Sequence, residues 1–155
     1  MPAASDPTRP AGLVPLPHTW RPLGVRIAAT VLGSMLALVV GFAWLSFDAD
    51  TRSAFTPFQV ATLVALGLLA LSLGYALARS RVVAEKDRLV VVNGYRRREF
   101  EYAAVVDAHL PPGAPWVTLD LDDGTTVSAM GIQGSDGARA QVALRELRAL
   151  LEHRQ

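Results

Sequence analysis

The 155-residue sequence contains no cysteine, which excludes disulfides, thiolate metal sites and cysteine nucleophiles and leaves the redox compartment to be inferred from topology. Lys86 is the only lysine among fifteen basic residues, and the net charge is only +1. A balance so near neutrality lacks the basic footprint of a nucleic-acid binder. The sequence also has no G-x-S-x-G elbow, phosphate-binding P-loop, dinucleotide fingerprint or H-E-x-x-H pair, the local patterns in which hydrolases, nucleotide-binding proteins and zinc proteases carry their chemistry. His18, His109 and His153 stand without a second ligand at metal spacing. The expectation is therefore no enzyme, no cofactor and no metal.

Two stretches lack charge altogether. Ile27 to Phe47 and Phe58 to Ala78 contain no Asp, Glu, Lys, Arg or His, and each matches the ~20 apolar helical residues needed to cross a ~30 Å hydrocarbon core. The sequence thus predicts a two-helix transmembrane hairpin over 25–78, with spans at 27–47 and 58–78 and a polar bend at 48–57. Without ionisable groups inside the spans, a proton or ion pathway loses its usual mark. Trp44, Phe47, Phe55 and Phe58 gather beside the bend, where an interfacial aromatic belt sits. Gly33, Ala37 and Gly41 in the first span, and Ala70, Gly74 and Ala78 in the second, recur every four residues. Such stripes let two helix backbones approach closely and are the candidate packing surfaces of the hairpin.

Residues 1–24 hold prolines at 2, 7, 10, 15, 17 and 22 among small polar residues, a composition that predicts a disordered tail. A cleaved leader is not expected, because the first apolar run exceeds a 7–15-residue h-region and no A-x-A pattern follows it. Arg9, Arg21 and Arg26 precede the first span and Arg79 and Arg81 follow the second, whereas the bend sets Asp48 and Asp50 against Arg52. The positive-inside rule then places both termini in the cytoplasm of a two-span protein of the cell membrane.

Beyond Arg79 the pattern changes to short alternating runs. Arg81–Glu85, Leu89–Val92, Tyr95–Tyr102, Ala104–Leu110, Trp116–Leu121 and Thr125–Met130 read as strands. Asn93-Gly94 and Asp122-Asp123-Gly124 supply hairpin turns, and Pro111 to Pro115 a loop. On the third strand Phe100 and Tyr102 share a face with Arg96 and Arg98, opposite Arg97, Glu99 and Glu101. Ala140, Ala143, Leu144, Leu147, Leu150 and Leu151 then form one helical stripe, predicting a helix over 137–153 with Ser135 or Asp136 as its N-cap. An antiparallel roll with this helix closing its open end buries both apolar surfaces.

The stretches SRVVAEKDRLVVVNGYRRREF, LPPGAPWVTLDLDDGTTV and IQGSDGARAQVALRELRAL, preceded by two spans, resemble the bacterial pleckstrin-homology (PH)-like domains of small actinobacterial membrane proteins, the low-molecular-weight protein antigen 6 group. Tyr102 stands where the family pattern has tryptophan and keeps a large aromatic. The resemblance implies a PH-like domain over 79–155, a roll of about six or seven strands capped by the C-terminal helix, and it implies no reaction or catalytic residue. Phosphoinositide-binding PH domains carry spaced basic residues at their first turn; here that turn is Glu85-Lys86-Asp87-Arg88, half acidic.

Arg96, Arg97 and Arg98 form the densest basic run and are the candidate contact to anionic lipid or to a protein partner, with cross-strand glutamates as the competing claim on them. Asp120, Asp122 and Asp123 lack the alternation and distal glutamate of a calcium loop and read as a turn. The function expected is a membrane-anchored, non-catalytic binding or scaffold module at the cytoplasmic face, contacting a protein partner, unknown from sequence, or the lipid surface. The alternative is an accessory subunit of a membrane enzyme or transport complex that docks through its spans.

Overall fold

The computed structural model describes residues 13–154; the first twelve residues of the expected tail lie outside them. Helix α1, Leu23–Ser46, and helix α3, Pro57–Arg79, contain 24 and 23 residues, about 36 and 34 Å at 1.5 Å per residue. Both are long and apolar enough to cross a membrane. Helix α1 begins four residues before the charge-free run, directly after Pro22 at its N-cap. Helix α3 starts with Pro57 inside a capping box: Thr56 Oγ1 accepts from Gln59 N, and Gln59 Oε1 accepts from Thr56 N at 2.9 Å. That arrangement satisfies two otherwise orphaned amides.

The expected bend holds a short helix, α2, Ala49–Ala54, whose N-cap Asp48 accepts from Thr51 N at 2.7 Å. Those bonds from Thr51 hold the Asp48 carboxyl below its ordinary range. Trp44, Phe47 and Phe55 pack together with ring centroids 5.7 to 6.3 Å apart, while Phe58 lies exposed outside the group. The helices approach at Gly33, whose open side faces Leu71, and at Gly74, which faces Ala29, each 3.8 Å from where a Cβ would stand. Around Gly41 nothing lies within 4 Å of that position, so the first small-residue stripe does not meet the opposite helix along its whole length.

Among the described residues seven strands follow the expected antiparallel pattern in two sheets. One has the order β1 (His18–Trp20), β2 (Arg81–Ala84), β3 (Arg88–Asn93), β4 (Arg96–Glu101). The other comprises β5 (Val105–His109), β6 (Trp116–Leu121) and β7 (Thr126–Gln133). Strand β7 joins the sheets by close backbone approach: a Cβ on Gly131 would collide with the main chain of Arg81 and Val82. Helix α4, Ala138–Arg154, closes the roll by burying Leu144, Leu147, Leu150 and Leu151 against Val82, Leu89, Val105, Val117 and Leu119.

Three expectations are corrected. The tail read as disordered through residue 24 instead contributes β1, with His18 opposite Ala84, Thr19 opposite Val83 and Trp20 opposite Val82. Trp20 is buried, and Leu13, Val14 and Leu16 pack against the same core. The prolines of this segment do not prevent pairing because β1 is an edge strand, flanked rather than interrupted by Pro17 and Pro22. Tyr102 does not continue β4; it opens a 3-10 turn, Tyr102–Ala104, and its hydroxyl donates to Glu85 O at 2.6 Å. Burial pushes its phenol up, and the Arg154 guanidinium, 5.9 Å above the ring, opposes that shift. Asp136 does not cap α4, since Gly137, at φ 58°, takes the position before the helix and its carbonyl accepts from Gln141 N. The Asp136 carboxylate is thereby free for another helix.

Candidate functional site

In the four-stranded antiparallel sheet β1 ends, β2 begins, β3 ends and β4 begins at one edge, and both apolar helices enter there. Helix α1 leaves β1 through Arg21-Pro22, and α3 reaches β2 through Ser80. The β2–β3 turn, Glu85 to Asp87, lies at the opposite edge.

Three contacts fix the helices to this edge. Asp136 accepts from Leu23 N at 2.9 Å and from Gly24 N at 2.8 Å, so a loop of the domain supplies the N-terminal cap that Pro22 cannot provide. A Cβ on Gly24 would stand 2.9 Å from Asp136 Oδ1; glycine keeps that approach open. On the α3 side the fully buried Ser80 Oγ donates to Ala76 O and accepts from Gly94 N at 3.0 Å. Gly94, at φ 59°, would bring a Cβ to 3.4 Å from Ala76 Cβ, which with the left-handed turn explains the glycine. Tyr95 then lies along α3, with its hydroxyl donating to Ser72 O at 3.0 Å and accepting from Ser72 Oγ at 2.8 Å.

Arginines surround this edge. The register sets Arg96 opposite Asn93, Arg97 opposite Val92 and Arg98 opposite Val91, while Val92 also faces Arg81. Arg81 and Arg97 therefore flank Val92 on one sheet face, and Arg96 and Arg98 occupy the other, as the alternation predicts. The triple-arginine run is thus divided between faces. Arg97 is engaged by Glu99, with Nη2 at 2.7 Å and Nε at 3.0 Å from Oε1. Glu99 also receives Arg88 Nη1 at 2.6 Å, and these two arginines, Arg88 first, hold its carboxyl below the usual range. Among the described residues no ion pair reaches Arg79, Arg81, Arg96 or Arg98. Arg79 lies over the rings of Tyr75 and Tyr95, 5.6 and 5.4 Å from their centroids.

Two other places gather polar groups. Asp107, His109 and Asp120 each offer one ligand atom, all within 4.8 Å of one another. The sequence reading missed this group because Asp120 comes from the adjacent strand, paired with Asp107. Its members are already partnered, His109 Nδ1 lying 3.3 Å from Asp120 and Arg148 Nε 3.6 Å from Asp107, and no metal is assigned to it. A groove of about 440 Å³ runs between β1 and α4, where Trp20 Nε1 donates to Glu146 Oε2 at 2.9 Å. Asp123, once compared with a calcium ligand, accepts from Thr125 Oγ1 and N at 2.7 and 2.8 Å, which lowers its pKa and closes the β6–β7 turn.

A family model described as "Bacterial PH domain" matches residues 79–150. Two relatives, "Uncharacterized protein Rv1417" of Mycobacterium tuberculosis and "Uncharacterized protein Mb1452" of Mycobacterium bovis, are each 33% identical over 138 residues, covering 87% of this chain and 85% of the relative. No solved structure matches the chain.

Proposed function

The chain belongs to the bacterial PH domain family, and from that premise we propose that it is a membrane-anchored, non-catalytic binding module whose domain works against the lipid surface of the cytoplasmic leaflet. One observation carries the reading: the sheet edge where both apolar helices enter is also the edge where Arg79, Arg81, Arg96 and Arg98 have no acidic partner among the described residues. A basic residue beside an anionic leaflet gains about 1 kcal/mol, decaying within a Debye length. The pairing of β1 with β2 supports placing both helix ends on one side of the membrane, because strands either side of the hairpin share a ladder. Arg21 and Arg26 add to the positive side at α1. The non-catalytic part of the reading rests on PH domains being binding modules as a type.

The absence of native cysteine makes single-site labelling a direct test. A spin label on Arg96→Cys in vesicles of anionic phospholipid is expected at headgroup depth, and one on Lys86→Cys, at the opposite sheet edge, in bulk water. Equal aqueous exposure of the two labels would remove the lipid-surface reading. In intact cells an impermeant thiol reagent is expected to reach Ser53→Cys in the bend and not Arg96→Cys; the reverse pattern overturns the orientation.

The accessory-subunit alternative is favoured by a different feature. Toward the bend the helices part around an apolar groove of about 730 Å³ lined by residues including Gly41, Trp44, Leu63 and Gly67, and nothing lies within 4 Å of a Cβ position on either glycine. Replacing Gly41 and Gly67 by leucine is expected to abolish co-purification of any subunit docked there and to leave depth labelling at position 96 unchanged.

A further inference from the structure

We infer that Arg79, seated over the adjoining rings of Tyr75 and Tyr95, is a phosphate-binding site for the headgroup of one anionic phospholipid, built half from helix α3 and half from the β3–β4 turn. The inference rests on the membrane-surface reading above and names the ligand class at one place within it. It concerns neither the half-acidic β2–β3 turn nor any loop of the domain's far edge.

Two carboxylates of the domain already have donors. Glu99 is divided between Arg88 and Arg97. The two oxygens of Asp136 accept from the first amides of α1. The carbonyls that end α3 are also occupied in part, Leu77 O accepting from Ser80 N and Ala76 O from Ser80 Oγ. Among the described residues no ion pair reaches Arg79, which leaves its counter-charge to be supplied by a ligand.

The surroundings then select what can supply it. Arg79 is the last residue of an apolar helix, at the depth where phospholipid phosphates lie once the preceding 22 helical residues fill the hydrocarbon core. Tyr75 and Tyr95 contact the guanidinium through their faces, at 5.6 and 5.4 Å. Contact through the faces leaves the in-plane N–H donors for an oxyanion, and the fork of a guanidinium matches two phosphate oxygens. The Tyr95 ring is itself fixed, since its hydroxyl exchanges hydrogen bonds with Ser72. That bond also satisfies a polar atom that would otherwise meet hydrocarbon two turns into the span. Both tyrosines are 61% exposed, so this side of the helix end opens outward toward lipid. A diester phosphate in the adjoining leaflet meets these requirements of charge, depth and access.

The test uses the full chain in nanodiscs of phosphatidylcholine doped with phosphatidylglycerol, with lipids retained after detergent release counted by native mass spectrometry. Wild type is expected to retain one phosphatidylglycerol in preference to phosphatidylcholine by roughly fivefold, the ratio that about 1 kcal/mol per basic residue near an anionic surface implies. Arg79→Gln is expected to lose that preference, Arg79→Lys to keep part of it, and Arg154→Gln, the same charge change beside Tyr102, to keep all of it. Hydrogen exchange of the β2 and β3 amides confirms that each variant retains its fold. Unchanged retention in Arg79→Gln overturns the site, as does equal loss in Arg154→Gln, which would make the effect one of net charge. Displacement of the lipid by excess inorganic phosphate also overturns it, because the ligand would then be a soluble anion. Any of these results leaves the depth labels at positions 96 and 86 as they were, so failure of the site and failure of the membrane-surface reading are distinguishable.

Discussion

In helices α1 and α3 the large apolar side chains point away from the rest of the chain, Phe42 at 75% and Phe58 at 80% exposure, whereas Leu89, Leu119 and Leu147 of the domain are at 0%. The two regions are comparably apolar in kind and opposite in what they are apolar toward. In the domain, each buried group is held by other residues of the same chain, so volume and shape at each position matter. In the hairpin the exposed apolar surface suits lipid, a medium that re-forms around a changed side chain, so on the membrane-anchored reading proposed above length and freedom from charge matter more than shape. Only the junction obeys both rules, because Ser80, Gly94, Tyr95 and Asp136 make internal hydrogen bonds where the two apolar helices meet the domain.

The comparison is broken most sharply at Gly131. Gly131→Ala is expected to cost more than about 4 kcal/mol, beyond the ordinary range of point substitutions, since its Cβ meets backbone and not a movable side chain; loss of hydrogen-exchange protection across β2 and β7 reads the effect. Next comes Leu147→Ala, expected to destabilise the domain by about 2–5 kcal/mol in chemical denaturation, against less than about 0.5 kcal/mol for Leu38→Ala, which is 73% exposed in α1. Equal effects in those two would dissolve the distinction between the regions.

At the junction Asp136→Ala should cost about 1 kcal/mol, the usual worth of a helix N-cap, and should appear as faster exchange at Leu23 and Gly24 with the core amides unaffected. The smallest effect is in acid. Glu99 titrates below its ordinary value in the folded chain, so the stability it lends is complete above the ordinary glutamate range and is lost as pH falls through the depressed folded value. Faster exchange at the β3–β4 edge in that acid window is expected in wild type and absent in Glu99→Gln.

Much of this architecture was written locally. The charge-free spans, the Asn93-Gly94 turn, the alternation of Trp116 to Leu121 and the leucine stripe of α4 are each decided by neighbours within a few positions, and each stands where the pattern put it. The missed features join residues far apart. Strand β1 is three residues long in a proline-rich segment, and its partner, β2, begins beyond the whole hairpin; period and propensity carry no sign of such a pairing. Asp136 has the local signature of an N-cap and is one, but for a helix 112 positions earlier. At the candidate site the sequence supplied the arginines and their alternation, while the fold supplied which of them lack an acid. That property depends on where Glu99 and Asp136 spend their oxygens, and no spacing records it.

The β1–β2 ladder also orders events during synthesis. Residues 18–20 emerge before either apolar helix, yet their partners, residues 82–84, emerge only after both, so the first strand waits until the whole hairpin has been made. If one helix failed to insert, the two strands would be stranded on opposite sides of the membrane and the sheet could not gain its edge strand or bury Trp20. On the membrane-anchored reading proposed above, closure of the domain thus requires that both helices cross or neither does, which makes the folded sheet a check on correct insertion.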